Sequence, residues 1–255
     1  MLKLADSALA GPAFWLGFCL CLPQALIVRR RARRLPPAAG PTDGRSGDGP
    51  SVRLIGIGDS IIDGVGVAET HQALTACVAV GWAEATRRRV EWKALGRNGI
   101  DAAGTQHRLL TRLEPRPVDC FLVSVGVNDV TRLKSIRQWR ADLRGLVEAL
   151  RDHSPGATIL LLAVPPLERF PALPWPLSAV LGLRASMFNR ASRTIADGLP
   201  NDRFGGMEWV DYQEFGMLKP DDFAADGYHP NSDTCAAIAP RLAARIGDPD
   251  SGRNR

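Results

Sequence analysis

Residues 51–60 read SVRLIGIGDS. The first eight of these residues are mostly branched and apolar, and the run ends at a glycine, a pattern typical of a strand covered on both faces of a sheet. Four further apolar runs have the same character and occupy residues 90–95, 117–125, 157–164 and 208–212. The sequence therefore predicts five buried strands.

Segments with helical spacing of apolar residues separate these strands. They cover residues 71–89, 101–113, 136–153, 181–199 and 232–246, and Asp101 is placed to cap the second of them. Alternating buried strands and helices indicate a parallel sheet with helices on both faces. We therefore predict an α/β fold, a three-layer α/β/α flavodoxin-like sandwich with a five-stranded parallel sheet. Ligands of such sheets bind at the carboxyl ends of the strands.

The composition argues against two classes of function. The chain of 255 residues has a formal net charge of +5, and five arginines between residues 29 and 34 account for all of it. The remainder is electrically balanced, which argues against nucleic acid as a partner. The five cysteines are scattered, and no Cys/His cluster has metal-ligand spacing. We expect neither a metal nor a cofactor.

Polar motifs lie at the edge of the predicted sheet where ligands are expected. GDS at residues 58–60 follows the first strand, with glycines at positions 64 and 66. RNG at 97–99 follows the second strand, GVND at 126–129 follows the third, and DGYH at 226–229 precedes the last helix. Each motif alone arises easily by chance, whereas all four in this order form a specific pattern.

The pattern resembles the SGNH (GDSL-type) hydrolase family. The family's GDS block with its spaced glycines is matched by residues 58–66, and its glycine after the second strand is matched best by Gly99. Residues 126–129 match the G-x-N-D block, and residues 226–229 match the D-x-x-H block. The resemblance covers roughly residues 52–246. A G-x-S-x-G pentapeptide does not occur, which argues against an α/β-hydrolase.

The resemblance implies a serine esterase with Ser60, His229 and Asp226 as catalytic residues. A serine hydroxyl becomes a good nucleophile when a neighbouring base removes its proton. His229 is the candidate base, and it would later return the proton to the leaving alcohol. Asp226 lies three residues earlier, at a spacing that lets the two side chains meet and fix the imidazole tautomer.

The resemblance also assigns an oxyanion hole to the backbone N–H groups of Ser60 and Gly99 and to the side-chain amide of Asn128. Such donors stabilise the negative charge of the tetrahedral intermediate. Gly96 is a rival for the position given to Gly99. The acidic neighbours Asp59 and Asp129 are expected to organise the loops rather than to take part in the chemistry.

The loop at residues 165–177 is long, apolar and rich in proline. Long loops in compact domains tend to be functional. We expect Phe170, Leu173, Trp175 and Leu177 to line a substrate pocket for an apolar acyl chain, or to touch a membrane. A loop packed on its own domain is the alternative.

Several functions remain compatible with these residues. The first is hydrolysis of acyl esters, with a small-molecule or lipid ester such as a lysophospholipid as substrate. The second is removal of acetyl groups from a carbohydrate, which a small polar pocket would favour. The third is a non-catalytic binding protein, which loss of a site residue would indicate. The fourth, a nucleotide-binding flavodoxin-like domain, lacks a phosphate-binding G-x-G-x-x-G after the first strand.

The amino-terminal segment predicts an attachment to a membrane. Residues 7–28 contain no formally charged side chain and are long enough to cross a bilayer. The arginines at 29–34 follow at once and would stay in the cytoplasm. We predict a membrane anchor and arginine run at 1–34, with the amino terminus outside and the catalytic domain on the cytoplasmic side. The alternatives are a helix on the membrane surface or on the domain, and a cleaved signal.

The composition also predicts the remaining boundaries of the chain. Residues 35–50 are rich in Pro, Gly, Ser and Asp and are expected to form a flexible linker. The hydrolase domain is expected at 51–247 and a disordered tail at 248–255.

Overall fold

The structure is a computed structural model that describes residues 9–198, 206–216 and 219–247. Its strands are β1 (Asp43–Ser46), β2 (Ser51–Gly58), β3 (Arg89–Gly96), β4 (Cys120–Ser124), β5 (Thr158–Leu162) and β6 (Met207–Val210). They form one sheet in the order β1-β3-β2-β4-β5-β6. All neighbouring pairs are parallel except β1 with β3. The predicted α/β fold is confirmed, but the sheet has six strands instead of five.

The strand that was not predicted is β1, and it corrects the prediction of a flexible linker at residues 35–50. Its residues pair with β3 in antiparallel register, from Asp43 opposite Lys93 to Ser46 opposite Val90. The prediction failed because β1 is an edge strand whose side chains are exposed or half-buried. Its backbone hydrogen bonds hold it in place, and they leave no apolar pattern in the sequence.

The helices in the described part of the chain cover both faces of the sheet. They are α1 (Ala10–Arg31), α2 (Leu74–Thr86), α3 (Ala102–Gly104), α4 (Val127–Thr131), α5 (Ile136–His153), α6 (Leu177–Asp197) and α7 (Ser232–Ile246). After α3 the chain continues as a π-helical turn and a 3-10 turn to Arg112. The end predicted for the fourth helix at residue 199 and the tail predicted at 248–255 lie outside the described residues.

Successive strand residues point to opposite faces of the sheet and build two cores. Ile55, Phe121 and Ile159 pack on the face covered by α5 and α6, where Trp139 is fully buried. Their neighbours Leu54, Leu122 and Leu160 pack on the opposite face, which α2 and α7 cover. The near-continuous apolar strands are therefore explained by burial on both sides.

Helix α1 lies along the outside of α6. Phe14 is fully buried there, and a Cβ at Gly17 would lie 2.9 Å from Val180, so the two helices cross closely. The Gln24 side chain donates to the Trp175 carbonyl and accepts from the Leu177 N–H, both at 3.0 Å. By length and composition α1 also suffices to cross a bilayer.

Candidate active site

Ser60, His229 and Asp226 form one chain of hydrogen bonds at the carboxyl end of the sheet. Ser60 Oγ lies 2.8 Å from His229 Nε2. On the other side of the ring, His229 Nδ1 lies 2.6 Å from Asp226 Oδ2. Ser60 follows β2, while the other two residues lie between β6 and α7. The fold thus brings together residues that are far apart in sequence.

In the tight turn after Asp226, the two carboxylate oxygens have different hydrogen-bond partners. Oδ1 accepts the backbone N–H of Tyr228 at 2.9 Å and that of His229 at 3.1 Å, which leaves Oδ2 for the imidazole. Burial raises the pKa of Asp226, but these N–H donors and the His229 ring outweigh burial, so the pKa lies below its usual value. The carboxylate is therefore charged when it faces the imidazole.

Close backbone approach positions the histidine. Gly66 has φ +103°, and a Cβ on it would lie 2.6 Å from the Pro230 carbonyl oxygen and 2.9 Å from the His229 Cβ. Only glycine fits this contact without strain. Two residues after His229, Asn231 caps α7 by accepting the Thr234 N–H at 2.9 Å. The GDS block and the DGYH block therefore support each other.

The three hydrogen-bond donors predicted for the oxyanion hole remain available. Among the described residues, no acceptor pairs with the backbone N–H of Ser60 or of Gly99. The Asn128 amide uses one hydrogen to bond the Ile100 carbonyl at 2.8 Å, which orients the group and leaves its second hydrogen. N–H groups without a protein acceptor are free to donate to an anionic oxygen.

The two glycines considered for the oxyanion hole have different surroundings. A Cβ at Gly96 would lie 2.1 Å from the Asp63 nitrogen, so this glycine allows two backbones to touch. A Cβ at Gly99 would meet nothing within 4 Å, and its φ is +77°. The Gly99 backbone is therefore open to a ligand, whereas Gly96 is packed.

A cluster of charges that sequence analysis missed holds the Gly99 and Asn128 segments together. Arg132 donates to the Gly99 carbonyl at 2.8 Å and pairs with Asp101 at 2.6 Å. Lys134 Nζ lies 3.0 Å from Asp129 Oδ1, and it also contacts Asp101 and Asp142. Burial alone would lower the pKa of Lys134. The three carboxylates outweigh burial and raise the pKa above its usual value, so the lysine stays protonated.

The expected structural aspartates have partners other than the histidine. Asp129 is fully buried and accepts the Ala102 N–H, in addition to its contact with Lys134. Asp59 accepts the Ser124 hydroxyl at 2.9 Å and the Ile61 N–H at 3.2 Å. Burial raises the pKa of Asp59 to about 7, although these two hydrogen bonds lower it. Both residues organise the loops that carry Ser60 and Asn128.

The four residues predicted to line one substrate pocket point in different directions. Phe170 packs into the core against Phe223, and Leu173 and Leu177 face a groove beside α1. Trp175 is 80% exposed, so its ring lies on the outer surface, as the alternative of a membrane contact predicts. Its backbone carbonyl accepts a hydrogen bond from Gln24 of α1.

Two of the depressions in the described structure are lined by candidate site residues or by their chain neighbours. An apolar groove of about 620 Å³, which we call the α1 groove, lies between α1 and the domain and includes Tyr228, Thr131 and Arg132. A polar recess of about 500 Å³, the basic recess, includes Gly99 and carries Arg97, Arg108 and Arg132. Among the described residues, no group of His, Cys, Asp or Glu side chains is arranged to hold a metal ion.

Sequence comparison connects this site to known proteins. Residues 57–237 match the model of the GDSL-like Lipase/Acylhydrolase family. The chain is also similar to the GDSL-like esterase Rv1075c of Mycobacterium tuberculosis, with 28% identity over 202 residues. That alignment covers 77% of this chain, which spans only 62% of the length of that relative.

Solved structures share the fold. The lipase Lip_vut3 from a goat rumen metagenome superposes with a TM-score of 0.61 at 15% identity, over 77% of this chain and 97% of that one. A family 3 carbohydrate esterase of Clostridium thermocellum gives a TM-score of 0.57 at 15% identity, over 78% and 100%. The family model matches most of the chain and includes all four motifs at the site. The chain therefore belongs to the GDSL-like lipase/acylhydrolase family.

Proposed function

We propose that the protein hydrolyses carboxylic esters through a covalent acyl-enzyme on Ser60. One observation carries this proposal: the hydrogen-bond chain from Asp226 through His229 ends at the Ser60 hydroxyl. Among the described residues, the backbone N–H groups of Ser60 and Gly99 have no protein acceptor, which leaves them available for the oxyanion. Membership of an esterase and lipase family supports the same reaction.

The proposed reaction begins when Ser60 Oγ attacks the ester carbonyl and His229 Nε2 takes the hydroxyl proton. The tetrahedral oxyanion accepts hydrogen bonds from the Ser60 N–H, the Gly99 N–H and the Asn128 amide. As the carbon–oxygen bond to the alcohol breaks, His229 returns the proton to the leaving oxygen. Water then attacks the acyl-enzyme with His229 again as base, the acid leaves, and the Ser60 hydroxyl is restored.

The test is hydrolysis of a p-nitrophenyl ester series from acetate to decanoate by the full-length protein. Ser60→Ala removes the nucleophile, and we expect near-complete loss of activity. Ser186→Ala is a matched control because that hydroxyl bonds the Gly182 carbonyl within α6. Activity that survives Ser60→Ala would refute the assignment. Activity on acetate alone would favour a carbohydrate deacetylase.

The finer proposal is a lysophospholipase-like substrate with an anionic headgroup. The basic recess adjoins Gly99, and Arg97 and Arg108 are exposed there without an ion pair among the described residues. Arginine clusters suit phosphate recognition. A headgroup on the leaving-alcohol side could rest there.

Paired lipid substrates test this headgroup site. We expect the double variant Arg97→Gln/Arg108→Gln to raise KM for a lysophosphatidylglycerol several-fold and to leave KM for the uncharged monoacylglycerol of equal chain length unchanged. Arg137→Gln, an exposed arginine on α5, is the matched control. An equal effect on both lipids would contradict the proposal.

We also propose that α1 attaches the protein to the cytoplasmic side of a membrane. Leu16, Leu20 and Ile27 form an exposed apolar stripe on α1, and the arginines at its carboxyl end suit anionic headgroups. Because α1 packs along α6, this proposal places the helix parallel to the membrane, at the membrane–water interface, rather than across the bilayer. The triple variant with serine at these three positions should lose flotation with anionic vesicles. A carboxy-terminal phosphatase fusion that is active outside the cytoplasm would contradict the assigned side.

A further inference from the structure

Helix α1 forms one wall of the α1 groove. Its contributions recur on one side of the helix and are mostly apolar: Phe18, Leu22, Ala25, Leu26, Val28, Arg29 and Ala32. The domain supplies the other wall from α4, α6 and three loops: Thr131, Arg132, Leu133, Leu173, Leu177, Leu181 and Tyr228. The α1 wall lies outside residues 57–237, which match the family model.

The groove reaches the segments that carry the candidate site residues. Tyr228 lines it and directly precedes His229, the proposed base. Thr131 ends α4, one helical turn after Asn128, and the next residue, Arg132, bonds the Gly99 carbonyl. The groove is therefore lined by chain neighbours of the candidate histidine and by residues next to the candidate oxyanion donors.

Several contacts hold α1 in this position. The Gln24 amide bonds the backbone on both sides of Pro176, at the start of α6. The Arg184 guanidinium lies 4.2 Å from the centre of the buried Phe14 ring, a cation–π contact that adds to the apolar packing. These contacts make α1 a part of the folded domain, so its side chains can form a lasting wall.

We propose that the α1 groove binds the acyl chain of the ester and that α1 thereby sets the preferred chain length. This inference rests on the proposed esterase function. A volume of about 620 Å³ lies within the range that holds small ligands, and the lining is apolar except for polar groups at its edge. An acyl chain that extends from the ester carbonyl carbon bonded to Ser60 Oγ would follow α1 away from the site.

The experiment fills the groove from the α1 side. In full-length protein, Ala25→Trp places an indole in the groove, whereas Cys19→Trp places one at an exposed position of α1 that does not line the groove. We compare kcat/KM for p-nitrophenyl decanoate and acetate in the same detergent. Each methylene excluded from an apolar site weakens binding about fourfold, so the decanoate-to-acetate ratio should fall at least tenfold in Ala25→Trp. The Cys19→Trp ratio should equal that of the wild type.

A second variant tests the proposal if Ala25→Trp does not fold. Leu26→Ala widens the groove at a half-exposed position of α1, and we expect its optimum to move to longer esters. A chain-length profile unchanged in both Ala25→Trp and Leu26→Ala would overturn the proposal, as would an equal effect of Cys19→Trp. Failure of the esterase function itself gives a different result, because Ser60→Ala would then leave the acetate rate unaltered.

Discussion

Replacement of Asp226 by asparagine tests the proposed mechanism most directly. In the structure Oδ1 accepts two backbone N–H groups, from Tyr228 and His229. The asparagine oxygen must occupy this position, because an amide nitrogen cannot accept those hydrogens. Its NH2 group then faces His229 Nδ1 in place of Oδ2, which lies 2.6 Å from the ring in the wild type.

This orientation has a chemical consequence. A donor at Nδ1 forces the neutral imidazole to carry its proton on Nε2, the atom that must take the Ser60 proton. We therefore expect kcat to fall about 10⁴-fold, or roughly 5.5 kcal/mol of transition-state stabilisation. The free energy of unfolding should change by only about 1–2 kcal/mol, because both backbone hydrogen bonds persist.

The assay compares kcat for a p-nitrophenyl ester with urea unfolding of the same full-length preparation. Asp59→Asn is the matched control, since Asp59 is also a buried aspartate of the site but bonds Ser124 and Ile61 rather than His229. We expect it to keep kcat within about tenfold of the wild type. An Asp226→Asn enzyme that is folded and within tenfold of the wild type would refute the role assigned to this carboxylate.

Three further predictions concern other parts of the site. Gly66→Ala brings a Cβ 2.9 Å from the His229 Cβ, so kcat should fall at least tenfold, whereas Gly156→Ala, whose Cβ meets nothing within 4 Å, should leave kcat unaltered. Asn128→Ala removes an oxyanion donor and should lower kcat about 10²–10³-fold with little change in KM; a purely KM effect would argue against that role. Burial raises the folded-state pKa of Asp59 to about 7, so the folded protein holds a proton that the unfolded chain releases, and stability falls as pH rises. Between pH 5 and 8 the free energy of unfolding from urea titrations should drop by about 2–3 kcal/mol from this group, a slope that Asp59→Asn should remove.

Short stretches of sequence were enough to predict the parallel strands of the sheet and the family. The buried strands are continuous apolar runs because helices cover both their faces, and their motifs lie at the strand ends. The edge strand β1 escaped prediction because backbone pairing with β3 holds it, with no buried face to leave a pattern. The sequence predicted the loop at residues 165–177, but it did not predict the direction in which each of its side chains points. Contact with α1, distant in sequence, decides that Trp175 faces outward and Leu177 inward.

The sequence by itself determined the α/β class, the family and the residues with suitable chemistry, because strand periodicity and short motifs are properties of neighbouring residues. Only the tertiary structure decided that Ser60 and His229 meet at 2.8 Å, that Gly66 makes room for the histidine, and that Lys134 joins three carboxylates beneath Asn128. It also decided that α1 forms the wall of a groove beside the site. These features depend on contacts between segments distant in the chain, and packing alone brings such segments together.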